Sequence, residues 1–121
     1  EERSILDDLQ GAASRATPFD VEVVGMRFLG YGSAYNLRSL ELEALRKDLA
    51  DMWAEWLTPQ DRQRFVPHVT IQNKAPAQEA KVLFARLDAS FTPFRAQAVG
   101  LALWRYRGGP WEQAARIPFE T

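Results

Sequence analysis

Cysteine is absent from this chain of 121 residues, so neither disulfides nor thiolate-held metals are available to it, and the composition is compatible with a cytoplasmic location. Histidine is scarce as well. With His68 as the sole imidazole, a zinc site is not expected and the reading carries no metal. Long apolar runs are missing, the longest falling far short of the roughly 20 residues needed to cross a bilayer, so no membrane partner is expected. Charge of one sign is also missing: 15 basic against 16 acidic residues leave a net charge of −1, which argues against a broad basic surface for nucleic acid. Any RNA contact must therefore be local. There is no glycine-rich phosphate loop, no nucleophilic-serine elbow and no helical metal motif. The acidic opening at Glu1 and Glu2 is the opposite of a signal peptide's basic n-region.

What is present is enough apolar material for one domain over residues 1–121. A hydrophobic content of 46% and four tryptophans exclude a disordered chain, and a chain of this length buries roughly two-thirds of its surface on folding. The most informative run is Phe65-Val66-Pro67-His68-Val69-Thr70-Ile71-Gln72. Residues at i and i+2 share a strand face, which sets His68 beside Thr70, with Gln72 next on the same face, while Val69 and Ile71 turn toward a core. An imidazole moves a proton near neutral pH, and a hydroxyl can hydrogen-bond an oxyanion. A lone histidine in a strand is nonetheless more often structural.

A second signal is an internal duplication. Thr17-Pro18-Phe19 followed by Val24-Gly25-Met26 returns as Thr92-Pro93-Phe94 followed by Val99-Gly100-Leu101, displaced by 75 positions. Upstream, Ile5, Leu9, Ala12 and Ala16 fall on Ala80, Phe84, Leu87 and Phe91, one apolar helix stripe occurring twice. Two copies make a duplicated lobe and not a solenoid. Shifting His68 back by the same displacement lands about eight residues before Glu1, so a counterpart histidine is expected just upstream of this chain.

Local signals order the elements as α-β-β-α-β-α-β-β. A helix over about 2–16 ends at Thr17-Pro18, and strands over 21–28 and 34–37 flank Gly30-Tyr31-Gly32-Ser33. Ser39 is placed to cap a helix whose Leu42, Leu45, Leu49, Met52, Trp53 and Trp56 form one apolar stripe, read as core. Thr58-Pro59-Gln60-Asp61 carries the elements of a short capped turn. Pro76 opens a helix to about Ala89, and a hairpin turning at Arg107-Gly108-Gly109-Pro110 closes the chain. The expected class is α+β: two lobes with small, mainly antiparallel sheets and outer helices. Lobe one covers about 1–39 and lobe two about 58–121, linked by a helix over about 40–57.

The run Pro67-His68-Val69-Thr70-Ile71-Gln72, the duplicated unit and the closing Leu103-Trp104-Arg105-Tyr106-Arg107-Gly108-Gly109-Pro110-Trp111-Glu112 together resemble the two-histidine phosphoesterase superfamily, specifically bacterial 2′-5′ RNA ligase-like proteins. The resemblance implies two pseudo-symmetric lobes, each giving one histidine-x-threonine/serine motif to a shared cleft. It also implies action on 2′,3′-cyclic or 2′-5′ phosphodiesters of RNA or nucleotides without a metal or other cofactor. His68 and Thr70 match the second motif as acid or base and as phosphate ligand; the first motif has no matching residues. On that basis lobe one is N-terminally incomplete, and self-association through it is an expected partner interaction. With one of the two histidines present, three readings stand: a phosphodiesterase, a non-catalytic RNA- or nucleotide-binding module, and a protein-interaction domain.

Further binding candidates follow from residue type. Gln72, Tyr35, Trp104, Tyr106 and Arg107 are candidate substrate contacts, the aromatics by stacking a base and the arginine by bidentate contact with phosphate. Arg105, Arg116 and Lys74 are weaker candidates for phosphate charge. Core or hairpin packing is the commoner use of such aromatics, and solvation the commoner state of such cations.

Overall fold

The repeat seen in the sequence is carried by the backbone of a computed structural model, which describes residues 2–61, 64–106 and 108–120. Helix α1 spans Glu2–Ser14 and helix α3 spans Ala77–Ala89, so both ends of the two helices are related by the same displacement of 75 positions. Strand β1 (Phe19–Phe28) and strand β4 (Phe94–Ala98) likewise begin at equivalent phenylalanines. The copies then diverge. β1 continues through a register shift between Val23 and Gly25, whereas Val99, the counterpart of Val24, separates β4 from β5 (Gly100–Tyr106).

The remaining elements form where capping and alternation call for them. Strand β2 (Ser33–Arg38) returns against β1, and helix α2 (Leu40–Met52) starts after Ser39, whose hydroxyl accepts a hydrogen bond from the Leu42 amide at 3.1 Å. Helix α1 stops at Ser14 rather than at Ala16, because the next two amides bond three residues back, Arg15 to the Ala12 carbonyl and Ala16 to that of Ala13. Thr58 and Asp61 make the reciprocal contacts of a capping box, the Thr58 amide donating to the Asp61 carboxylate at 3.0 Å and the Asp61 amide to the Thr58 hydroxyl at 3.1 Å. The Thr58 amide and hydroxyl, together with the charge of Arg46, hold the Asp61 carboxyl below its ordinary pKa. Strand β3 (His68–Gln72) and the final strand β6 (Trp111–Pro118) complete an α+β fold with antiparallel pairings.

Two compact units result, and neither is a contiguous stretch of chain. One contains α1, most of α2 and the two-stranded β5–β6 sheet; the other contains nearly all of β1 with β2, β3 and α3. Each unit therefore joins a helix from one repeat to a hairpin from the other. In the first unit α1 packs on β5 and β6, burying Leu9, Ala12, Ala13 and Ile117, with Phe19 stacked on Phe119 at 5.6 Å between ring centroids. In the second unit the sheet order is β3-β2-β1-β4, and α3 packs on β2 through the fully buried Ala80. Phe28 meets Phe84 at 5.4 Å, and the rings of Tyr35, Phe91 and Phe94 form a cluster.

Two burial expectations fail. Val69 and Ile71 remain 51% and 40% exposed, because β3 is the edge strand of its sheet and has a neighbour on one side only. No residue of α2 is fully buried, and Met52 and Trp56 are exposed. Amphipathic spacing identifies which face is apolar, but the tertiary arrangement decides how completely it is covered. Trp53 of that stripe is anchored by its indole N–H, which donates to the Asp8 carboxylate at 2.8 Å.

Candidate functional site

Cross-strand register assembles the candidate site on one face of the β1–β2–β3 sheet. His68 pairs with Asn36, which pairs with Gly25; Thr70 pairs with Ala34, which pairs with Arg27. These are two neighbouring rows, so His68 and Thr70 share a face as strand alternation requires. The opposite face carries Tyr35, Met26 and Phe28 toward α3. Along the site face the small side chains recede. Ala34 is fully buried beneath its row, and a Cβ added to Gly25 would meet nothing within 4 Å, leaving the sheet surface beside Asn36 open.

The imidazole of His68 is exposed and tethered at one nitrogen. Its Nδ1 lies 3.0 Å from the Val66 carbonyl and 3.5 Å from Nη1 of Arg27. A carbonyl only accepts and a guanidinium only donates, so one neutral tautomer cannot serve both. The shorter contact assigns the Nδ1 proton to Val66. That leaves the lone pair on Nε2 for proton transfer, and the Arg27 guanidinium meets no acceptor at Nδ1. Asn36, directly across from the histidine, donates through Nδ2 to the Met26 carbonyl at 3.4 Å, while its Oδ1 is buried with no partner among the described residues. At the end of the same face Arg38 donates to Glu22 at 2.7 Å, and this bond and charge hold the Glu22 carboxyl below its ordinary pKa.

A family model described as the 2'-5' RNA ligase superfamily matches residues 1–110. The chain belongs to that superfamily. The 2′-5′ RNA ligase superfamily is part of the two-histidine phosphoesterases, and His68-Val69-Thr70 is the one histidine-x-threonine run in this member's sequence. No curated protein matches the chain.

Among the other sequence-predicted residues of this superfamily member, Gln72 and Tyr35 are taken off the His68–Thr70 face within its own unit. Gln72 leaves that face because a register shift between Ser33 and Ala34 sets it opposite Ser33 instead of continuing the Thr70 row. Its Oε1 and the Ser33 Oγ are buried and unpartnered among the described residues. Tyr35 lies on the reverse face, with its ring edge-on to Phe94 at 5.5 Å, packed as core. Trp104 and Tyr106 alternate with Leu103 and Arg105 along β5 and are exposed. Tyr106 pairs across the hairpin with Trp111, the ring centroids 4.8 Å apart. Arg107 lies outside the described residues.

Arg105 is committed to carboxylates. It chelates Glu2 at 2.7 and 2.9 Å and Glu112 at 2.6 Å, and these carboxylates raise its pKa further above the ordinary arginine value. Lys74 follows β3 in left-handed backbone, with φ of 59°, its amide bonded to the Asn73 side chain at 2.9 Å. Among the described residues no three His, Cys, Asp or Glu side chains gather as metal ligands, and no helix is long and apolar enough to cross a membrane.

The sequence reading passed over Arg27 and Asn36. A pairing of β1 with β2 and of β2 with β3 in register would have found both, but no local pattern specifies that register across a separation of 41 positions.

Proposed function

We propose that this protein acts on 2′,3′-cyclic or 2′-5′ phosphodiesters of RNA or nucleotides, with His68 as general acid or base and Thr70 as a phosphate ligand. The observation that carries the reading is the exposed His68 beside Thr70 on one sheet face, with Nδ1 tied to the Val66 carbonyl. With Nδ1 tied to that carbonyl, the neutral ring keeps its lone pair on Nε2. In that state Nε2 takes a proton from water or a ribose hydroxyl; protonated, it gives one to the departing oxygen. The Thr70 hydroxyl donates to a non-bridging phosphate oxygen as charge shifts during displacement. In-line displacement needs an acid and a base on opposite sides of phosphorus. His68 supplies one of them, and lacking either partner costs about 10²–10⁴ in rate.

Because His68 is the only histidine, its ring resonances in an NMR spectrum are unambiguous. Titration with 2′-adenosine monophosphate should shift them, and His68→Ala should lose nucleotide binding with the fold intact. Unchanged binding in His68→Ala would remove the assignment.

A second reading, a nucleotide- or RNA-binding module without turnover, is favoured by the exposed aromatic surface of Trp104, Tyr106 and Trp111, of the kind on which unpaired bases stack. Hydrolysis of 2′,3′-cyclic adenosine monophosphate by the wild type, lost in His68→Ala, favours the enzyme. Binding of the same nucleotide without turnover favours the module.

A further inference from the structure

We infer that Arg27 is a phosphate-binding residue of the His68–Thr70 site, supplying the positive charge that neither the imidazole nor the hydroxyl provides permanently. This inference rests on the functional reading given above and deepens it. Three observations carry it.

The first is position. Arg27 stands in the same cross-strand row as Thr70, with only the buried methyl group of Ala34 between them, and its Nη1 lies 3.5 Å from the His68 ring. A bulkier residue at position 34 would hold the guanidinium and the hydroxyl apart.

The second is charge. The other two arginines on this sheet are matched to carboxylates, Arg38 to Glu22 at 2.7 Å and Arg95 to Asp20 at 3.8 Å. Among the described residues no carboxylate lies within ion-pair distance of Arg27. Its side-chain contact is instead with the His68 imidazole, at 3.5 Å. A guanidinium with no carboxylate partner keeps its charge and its forked donors for an anion such as phosphate.

The third is donor geometry. The Val66 carbonyl occupies Nδ1 of His68, so the contact with Arg27 uses none of the guanidinium's donors in a genuine hydrogen bond. A planar fork with unused N–H groups, a hydroxyl on the same row and the imidazole beside them offer the donor types that the oxygens of one phosphate take. Arg27 is only partly exposed, so its stem is supported by the sheet.

The test uses the full chain and the ring resonances of its single histidine, titrated with inorganic phosphate, with 2′-adenosine monophosphate and with adenosine. Wild-type protein should respond to both phosphate-bearing probes. Arg27→Gln should bind them about tenfold more weakly or worse, as expected for the loss of a hydrogen bond to a charged group, while adenosine binding stays the same. Arg27→Lys should recover part of the loss, because it restores the charge without the fork. Arg27→Met keeps an apolar stem and covers the case in which Gln disturbs folding; it should show the same loss.

If Gln and Met variants bind phosphate as the wild type does, the role of Arg27 is overturned while the His68 site stands. A loss that extends equally to adenosine would also overturn it, since that pattern is a structural effect. If wild-type His68 responds to neither phosphate-bearing probe, the site reading fails and takes Arg27 with it.

Discussion

Gly32→Ala should be among the most damaging single-methyl additions to this protein, and the reason is a backbone contact rather than a backbone angle. A Cβ at Gly32 would stand 1.7 Å from the Gln72 carbonyl oxygen, 2.5 Å from its carbon and 2.9 Å from the Asn73 Cα. All three are main-chain atoms at the end of β3, so no side chain can rotate away to make room. The loop cannot easily retreat either. The Leu29 amide bonds the Gly32 carbonyl at 2.8 Å, and the Tyr31 carbonyl accepts from the Ala75 amide at 2.9 Å, fastening the turn to the segment that leads into α3. Overpacking generally costs about 1–3 kcal/mol, and a clash with fixed backbone belongs at the upper end, about 3 kcal/mol. For a domain of this size that corresponds to a fall in Tm of about 12 °C, at roughly 4 °C per kcal/mol.

The matched control is Gly25→Ala, where the added methyl meets nothing within 4 Å; replacing a strand glycine there should be neutral or stabilising by up to about 1 kcal/mol. Gly100, the repeat counterpart of Gly25, differs: its Cβ would lie 2.6 Å from the Ile117 carbonyl oxygen, so Gly100→Ala should be costly where Gly25→Ala is not. Thermal melts of the three variants, with the His68 ring resonances followed in parallel, provide the assay. Gly32→Ala should also move those resonances, because the clash displaces the strand that carries His68. A Gly32→Ala protein that melts within about 2 °C of wild type, or a Gly25→Ala protein equally destabilised, would refute the close approach of the turn to β3.

Three further predictions concern single interactions. Ser39→Ala removes the hydroxyl that accepts from the Leu42 amide and should cost about 1 kcal/mol, read as a shift in urea midpoint; no shift would mean that the cap contributes nothing to α2. Thr70→Val keeps the shape of an exposed side chain, so stability should change by no more than about 0.5 kcal/mol, while binding of 2′-adenosine monophosphate should weaken about tenfold; unaltered binding would remove Thr70 from the site. The folded-state pKa of Glu22 is depressed from 4.5 by Arg38, so the stabilisation it brings is present above that ordinary value and is lost as pH falls through the folded value. The stability difference between wild type and Glu22→Gln should therefore shrink on acidification below about pH 5, and a difference that stays constant or grows would contradict the pairing.

Much of this protein is local and was legible in the chain. The helix spans, the Ser39 cap, the Thr58–Asp61 box, Pro76 before α3 and the displacement of 75 positions all follow from interactions within a few residues or from direct comparison of one stretch with another. The same is true of His68 and Thr70, because side-chain alternation is a property of any strand. Membership of the 2′-5′ RNA ligase superfamily was likewise recognisable from the His68 motif and the repeat.

Tertiary structure decided the rest, wherever an outcome depended on which distant segments meet. The one-residue register shift that takes Gln72 away from Thr70 exists only in the pairing of β2 with β3. The edge position of β3 leaves Val69 and Ile71 exposed despite their apolar character. Arg105 was a candidate for phosphate until the fold brought Glu2 to it across 103 positions, and Arg27 came to His68 across 41. Both arginines are chemically alike in the sequence. The carboxylates that engage one, and the imidazole and hydroxyl that flank the other, are set by long-range strand register and helix packing, which no local pattern encodes.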